Sequence, residues 1–432
     1  MKRKRVFFGV FCVSLFFLPN ALFPLEKVAE KKIQDIIKEI TPDLISIRRD
    51  IHCHPELSSQ EKRTAALVSE YFQKLGLEVK TGLGGTGILG VLRGGKPGPV
   101  VGMRGDMDAL PITEETNLPF ASKVKAQIDG REVGVMHACG HDIHTTLVLG
   151  VANVLSRLRK DLPGTVLFIA QPAEEWGDGA NRMLQDGVFK DIKPQALFAF
   201  HVEDTIPAGY IKYTPGYSGA NCDGFILKIK SEGCHGADPS SCVDPIVVGS
   251  QIVIALQVMI SREIDVHKDT VITVGSFHAG SASNIIPKEA DLSATIRSYG
   301  EDQRKLLKEK VTKLVTNLCE AAGAEYELNY YYGTPALFNN PGLLKEIFPS
   351  VEKALGGKKF LTEDLPSMGG EDFSYFAQET PAVMLGLGVL PKDVPKTSVH
   401  SPTFVADEES IPVGIKVMCS IILDYLARPK TK

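Results

Sequence analysis

The sequence concentrates coordinating side chains in one short stretch. MHACGHDIH, residues 136–144, holds His137, Cys139, His141 and His144, three of the ten histidines and one of the eight cysteines of the chain. Cys139 and His141 are two apart, so in an extended or turning segment both side chains leave the same face. A helix starting near Asp142 would turn its N-terminus toward whatever they hold. A redox pair would require a second cysteine nearby, and a closed structural zinc site would require paired soft ligands; the stretch offers neither. Two readings of it stay open: a metal site completed by distant residues, or a helix start whose histidines satisfy local backbone groups.

QPAEEW, residues 171–176, adds Glu174 and Glu175 at the end of the apolar run TVLFIA, residues 165–170. Two carboxylates at a buried strand end need neutralising, which a metal ion does. Adjacent residues point in different directions, so one glutamate can ligate while the other faces a substrate. Metal-assisted hydrolysis uses that division, with a non-ligand carboxylate taking a proton from an activated water. RGDMDAL, residues 104–110, places Asp106 and Asp108 at another strand end. An aspartate on the far ring nitrogen of a ligand histidine is the usual orienting partner, and Asp108 is expected in that part. His201 ends the apolar run 196–202. His400, in VHSPTF, follows a long loop, where a lone histidine is more often structural.

The elements that must position these groups follow from the apolar pattern. Residues 99–103, 165–170, 196–202 and 381–390 are continuous apolar strands. Helices are predicted over 28–50, from a capping-box signal at Ser58-Ser59-Gln60-Glu61 to Gly76, from His144 to Pro163, and over 408–427. The glycine-rich stretch 82–98 reads as a hairpin. This alternation predicts an α/β fold, a mostly parallel sheet covered by helices. Ligand sites in such sheets lie beyond the carboxyl ends of the strands, where Asp106, Asp108, Glu174, Glu175 and His201 fall. Between 219 and 332 the pattern changes to strands at 223–231, 269–277, 289–298 and 324–332 with helices at 244–263 and 301–322. That order, β-α-β-β-α-β, is ferredoxin-like. The expected organisation is a catalytic domain of residues 28–218 and 333–432 with an inserted domain at 219–332.

Composition sets the outer bounds. The chain has 432 residues, 44% apolar and 23% charged, as ordinary globular proteins do. A net charge of −4 gives no basic surplus for nucleic acid, so a small-molecule substrate is the default. Met1-Lys2-Arg3-Lys4-Arg5 precedes VFFGVFCVSLFFL, an apolar run shorter than the roughly 20 residues of a membrane span. Residues 1–23 read as a secretory signal, giving a periplasmic or secreted protein; an uncleaved membrane anchor is the alternative. Removing Cys12 with the signal leaves an odd number of cysteines, so at least one is free or a ligand, and Cys139 is the obvious candidate.

In order along the chain, RGDMDALP, MHACGHDIHT, QPAEE, SASNIIP, GGEDF and VHSPTF resemble the motifs of dinuclear metallo-amidohydrolases of the aminoacylase/carboxypeptidase group. Within that group the sequence is similar to the branch of auxin-conjugate hydrolases, hippurate hydrolases and N-acetyldiaminopimelate deacetylases. The resemblance covers essentially everything after residue 40. It implies two divalent ions per subunit (zinc, manganese, cobalt or nickel) bridged by the Cys139 thiolate, with His141 and His201 on one and Glu175 and His400 on the other. It further implies Glu174 as general base and then general acid, and His235, in GCHGAD, as the group that polarises the scissile carbonyl. Asn284 and Arg297 would bind substrate, within the chain or across a homodimer interface, and Glu371 would lie near the metals. The implied reaction is hydrolysis of N-acyl-L-amino acids or short peptides under a closing inserted domain.

Three positions depart from the family pattern, one of them Gly236, which follows His235 where alanine is usual. Cys234 precedes His235 where glycine is usual, and this small, soft residue is open to oxidation. Trp176, the only tryptophan, replaces the glycine after the two glutamates. It either lines an acyl pocket or covers the sheet edge, the second being the simpler expectation. The rival readings are a metal-dependent dipeptidase or aminopeptidase and a non-catalytic binding protein on the same fold. Glu174 beside a complete ligand set argues against the last.

Overall fold

The computed structural model describes residues 22–392 and 397–428. The expected export segment, residues 1–23, lies almost wholly outside the described residues. The strands that matter here are β1 Glu78–Leu83, β2 Gly87–Arg93, β3 Lys96–Asp106, β4 Pro163–Gln171, β5 Ala196–Pro207, β6 Ile211–Tyr213, β7 Asn221–Lys230, β8 Thr270–Ala279, β9 Glu289–Ser298, β10 Glu325–Tyr331, β11 Leu361–Glu363 and β12 Ala382–Leu390. The helices are α1 Leu22–Cys53, α2 Lys62–Lys74, α3 His141–Arg157, α4 Gly179–Gln185, α5 Pro245–Glu263, α6 Glu301–Ala322, α7 Pro341–Leu355, α8 Phe373–Glu379 and α9 Ser410–Leu426.

An eight-stranded sheet runs in the order β1-β2-β4-β3-β5-β12-β6-β11. Its centre, β4-β3-β5-β12, is parallel. β1, β2 and the β12–β6 pair are antiparallel, so the sheet is mixed. Alternate residues of the central strands feed two different cores, as the two-residue side-chain period of a strand requires. Phe168 of β4 and Phe198 and Phe200 of β5 pack with α1, α3 and α9 through Leu44, Leu147 and Ile415. Their neighbours Leu167, Ile169 and Leu197 pack on the opposite face with α4 and α8 through Met183, Phe373 and Phe376. Burial on both faces is why these strands read as unbroken apolar runs. Each such side chain contributes about 1.5–3 kcal/mol by leaving water.

Residues 221–331 form a second, antiparallel sheet in the order β8-β9-β7-β10. α5 and α6 cover one face and close a separate core around Phe225, Leu227, Ile252, Leu292, Ile296 and Val311. The element order is the β-α-β-β-α-β read from the sequence. In β9 the residues from Ala290 to Ser298 alternate between buried and half-buried. Arg297, out of phase with buried Leu292 and Ile296, therefore leaves the sheet on the face away from the helices.

One local expectation is corrected. Ser58 and Glu61 make no capping box. The start of α2 is capped instead by Glu56, whose carboxylate accepts from the backbone N–H of Arg63 and Thr64 at 2.8 Å each. Ser59, with φ 65°, turns the chain so that Ser58 Oγ donates to Asp108 Oδ2 at 2.6 Å. Glu61 is buried and accepts from the N–H of Ser59 and of Ala173.

Candidate metal centre

The end of β4, the middle of β5, the start of α3 and two loops converge at the carboxyl edge of the parallel strands. Cys139 precedes α3, His141 opens it, Glu174 and Glu175 follow β4, His201 lies in β5, and His400 belongs to the loop before α9. Gly140, at φ 75°, lets α3 start directly against β5; a Cβ there would meet Val202 Cγ2 at 2.7 Å. Cys139 Sγ lies 3.4 Å from His201 Nε2 and 3.3 Å from His400 Nε2. Two groups of donors share it: Cys139, His141 and His201, and Cys139, Glu175 and His400, each with its donor atoms within 4.8 Å of one another.

The residues fit a pair of cations. His141 Nε2 and Glu175 Oε1 are buried without a hydrogen-bond partner among the described residues, a cost that a bound cation would remove. Burial opposes the thiolate of Cys139, but His201, His141 and His400 outweigh it and lower the thiol pKa to about 6. Thiolate with imidazole suits zinc, and the carboxylate also admits manganese, cobalt or nickel.

The rings of His141 and His201 are oriented from behind. Asp108 Oδ1 faces His141 Nδ1 at 3.2 Å. The same carboxylate accepts from the N–H of Glu174 and of Glu175 at 3.1 Å each, so it sets a ligand ring and the glutamate turn together. Asp108 thus positions other groups and does not itself face the cavity. His201 Nδ1 is 2.8 Å from the Val202 carbonyl, which leaves Nε2 for the cluster. Ala173, at φ 49°, and His400, at φ 62°, hold left-handed backbone conformations. Such strain costs roughly 1–3 kcal/mol and persists where the surroundings impose it. Here Glu61 Oε1 holds the Ala173 N–H at 2.8 Å, and the His400 N–H donates to the Ala138 carbonyl at 2.8 Å.

Beneath the site lies a charge network that the motif reading did not assign. Arg104 is fully buried and reaches Asp106 at 2.6 Å, Glu371 at 2.9 Å, Asp372 at 3.2 Å and Gln171 at 2.8 Å. Burial opposes ionisation of Asp106, yet Arg104 holds it well below the ordinary carboxylate range. Asp106 Oδ1 accepts from His144 Nδ1 at 2.7 Å, and His144 Nε2 accepts from the Val202 N–H at 2.8 Å. Those bonds fix a neutral ring, in keeping with a pKa that burial lowers to about 4. His144 is therefore a strut between β3 and β5. Burial, with Glu371 and Asp372 close by, raises Glu174 well above the usual carboxyl range, and burial pushes Asp372 up to about 8. The missed residues carry one signal: Arg104 and Gln171 are large polar residues inside otherwise apolar strands.

A cavity of about 1030 Å³ opens above the cluster, between the two sheets. Glu174, Glu175, His201, His400 and Glu371 line it from the large sheet, and Arg297 lines it from the second. Glu371 is spoken for by Arg104 and by the Phe373 N–H, so it belongs to the floor. Trp176 lines the cavity and is 65% exposed, so it is a rim residue and covers little of the sheet edge. His235 and Asn284 are neighbours of each other: the Gly236 N–H donates to the Asn284 carbonyl at 2.8 Å, and His235 pairs with Ile285. Both are exposed, and the structure does not bring them to this cavity.

Three similarities bear on this geometry. The chain is 37% identical over 391 residues to thermostable carboxypeptidase 1 of Saccharolobus solfataricus, covering 89% of this chain and 95% of that one. It is 34% identical over 384 residues to N-acetylcysteine deacetylase of Bacillus subtilis, covering 89% and 97%. The crystal structure of Bacillus subtilis YXEP, a dinuclear metal-binding peptidase of the M20 family, superposes with a TM-score of 0.76 at 31% identity, covering 90% of this chain and 99% of that one. The sequence profile of peptidase family M20/M25/M40 matches residues 102–424, the span that holds every donor of the cluster, and the chain belongs to that family.

Proposed function

We propose that the chain hydrolyses the amide bond of N-acyl-L-amino acids, giving a carboxylic acid and a free amino acid. The observation that carries this reading is Glu174: it stands beside His141 and Glu175 yet belongs to neither of the donor groups that share Cys139. Two divalent ions, held by Cys139, His141 and His201 and by Cys139, Glu175 and His400, would polarise the carbonyl and lower the pKa of a water to about 7. Glu174 takes the proton from the attacking water and returns it to the leaving amine. Burial and the nearby acids raise its affinity for a proton, which suits a group that must take one from water once it is ionised. Arg297, half-buried in the cavity wall, receives the carboxylate of the amino acid.

A blocked amine fits the cavity better than a free one. A free α-amino group needs an available carboxylate, and the outer acids are engaged: Glu203 and Asp364 with Lys212, Asp204 with the Val399 N–H, Asp223 with Arg304, and Asp178, more loosely, with Asn181 and Arg182. Similarity to a deacetylase supports the acyl reading, while similarity to a carboxypeptidase keeps short peptides as the second one.

In this reading residues 219–332 act as a lid over the substrate. His235 donates to the scissile carbonyl oxygen and, with Asn284, reaches the cavity from the partner subunit of a homodimer. The support is their exposed position together with the apolar face of α5, where Ile246, Val247, Ile254 and Val258 are exposed. A monomer in a sizing experiment at catalytic concentration would remove that arrangement. Residues 1–23 are read as an export signal, and the disulfide between Cys234 and Cys242 supports an oxidising compartment. Recovery of full-length tagged protein from the cytoplasm with its N-terminus intact would overturn the export reading.

The direct test is release of amino acid from N-acetyl, N-benzoyl and indole-acetyl amino acids and from dipeptides, with zinc, manganese, cobalt or nickel, beside a Glu174→Ala control. Metal-dependent turnover of acyl substrates that disappears in the control is expected. Turnover of dipeptides alone would establish the peptidase reading.

A further inference from the structure

His235 sits in a loop that no hydrophobic contact holds. Residues 235–241 are all exposed, and the loop follows Gly233 at φ 71°. Three things fix it. Cys234 and His235 pair with Ile286 and Ile285 in a two-residue ladder. The Ala237 N–H donates to His235 Nδ1 at 3.0 Å and the Asp238 N–H to the His235 carbonyl at 2.8 Å. The third is covalent: Cys234 is bonded to Cys242, with Cα atoms 6.0 Å apart. Cys242 stands two residues before Asp244, whose side chain caps α5 by accepting from the N–H of Ile246 and Val247. The disulfide therefore ties the strand that carries His235 to the anchored start of a helix.

The hydrogen bond at Nδ1 has a chemical consequence. A neutral imidazole that accepts at Nδ1 keeps its proton on Nε2, so the ring presents an N–H donor outward. A donor of this kind acts only if its position is held to a fraction of an ångström.

We propose that the Cys234–Cys242 disulfide is a positioning device for His235, and that full activity requires the loop in its oxidised form. The inference rests on the reading of His235 as the donor to the scissile carbonyl oxygen. It adds that the cysteine standing where the family pattern has glycine is joined to a second cysteine to keep that donor in place.

Peptide mapping of the unreduced, metal-loaded protein comes first; free thiols at both positions would overturn the proposal. Steady-state kinetics on the best N-acyl amino acid then compare wild type, Cys234→Ala/Cys242→Ala, His235→Ala and the triple variant. His235→Ala is expected to lose about 100-fold in kcat, the usual cost of one oxyanion donor. The double cysteine variant should lose about tenfold in kcat with KM, metal content and melting temperature kept, as for a misplaced catalytic group. The triple variant should be no slower than His235→Ala. The same loss in both backgrounds, or an unchanged kcat in the cysteine variant, would show that the disulfide does not act through His235. Wild-type activity in His235→Ala would remove the role of His235, and this inference with it.

If the double variant does not fold, the wild type serves. A trialkylphosphine reduces the bond with two electrons, leaving as its oxide with oxygen from water and giving two thiols. A small disulfide then takes back two electrons and two protons and restores the bond. Activity should fall and return; constant activity while both thiols titrate would overturn the proposal.

Discussion

On the floor of the cavity several of the candidate metal donors are held from behind, whereas the side chains of the wall built by residues 221–332 stand partly in water. Asp108 backs His141, the Val202 carbonyl backs His201, and the His400 backbone is tied to Ala138. On the wall, Arg297 is half-buried and Tyr331 and Tyr332 are 46% exposed. The floor is also charged and largely buried, with Arg104 among three carboxylates, while the wall is partly exposed. The difference separates two tasks. Bond making needs groups fixed in advance, which only a packed sheet supplies. Recognition tolerates approach from a second unit, since a domain that closes over substrate, as proposed for residues 219–332, would complete that half of the site.

The comparison is broken most directly at Glu174. Glu174→Gln keeps the shape and removes the base, so kcat should fall by about 10²–10⁴-fold with metal content and melting temperature unchanged. A loss of under tenfold in stopped assays of amino acid release would move the proton transfer to another group.

Arg104→Met tests whether the floor is held by charge. It leaves Asp106, Glu371 and Asp372 buried without their cation, and stability in denaturant titrations should drop by about 3–5 kcal/mol. A well-folded variant of near wild-type stability would mean that the acids are protonated or solvated and the network is not structural.

The wall should respond differently. Arg297→Ala removes a partner for the substrate carboxylate and should raise KM by an amount worth about 1.5–3 kcal/mol, with stability and metal content unchanged. A fall in kcat at constant KM would instead place Arg297 in the reacting geometry and erase the distinction between wall and floor.

The sequence patterns anticipate the floor's candidate metal-site residues better than its supports. His141, Glu174, Glu175 and His201 are legible because they follow apolar runs or open a helix, positions where charge needs a reason, and Cys139 is legible from its two-residue spacing to His141. The β-α-β-β-α-β order of 221–331 was legible for the same cause, a switch from unbroken apolar runs to alternation. Arg104, Gln171 and Asp372 were not, because a network spread over more than 260 positions of separation leaves no local pattern. Ser58 and Glu61 were misread since a capping-box spacing and a turn that points both side chains into a site look alike in one dimension. The antiparallel flanks of the large sheet escaped notice because strand direction depends on which strand becomes the neighbour. The pairing of Cys234 with Cys242 was missed for want of any signal beyond the cysteines themselves.

The smallest expected effect comes from Asp372, and it concerns how the floor behaves with pH. Burial raises its carboxyl from an ordinary value of 3.8 to about 8, although Arg104 pulls the other way. Over the interval between those values the folded protein keeps a proton that the unfolded chain releases, so raising the pH through it favours unfolding. Asp106 and Asp108 act in the opposite sense: burial opposes their charge, but Arg104 and His141 keep their pKa values low, so their contribution is lost as acid protonates them. Metal-free protein should therefore lose stability as the pH rises from about 3.8 to about 8 through Asp372, with Glu174 acting in the same sense, and should lose it in acid through the two ion-paired aspartates. Asp372→Asn preserves an acceptor for Arg104 and abolishes the titration. Melting temperatures of chelator-treated wild type and variant, measured from about pH 5 to about pH 8, should fall with pH in the first and stay flatter in the second. Equal slopes would mean that Asp372 is ionised in the folded floor, and that Arg104 balances three negative charges there.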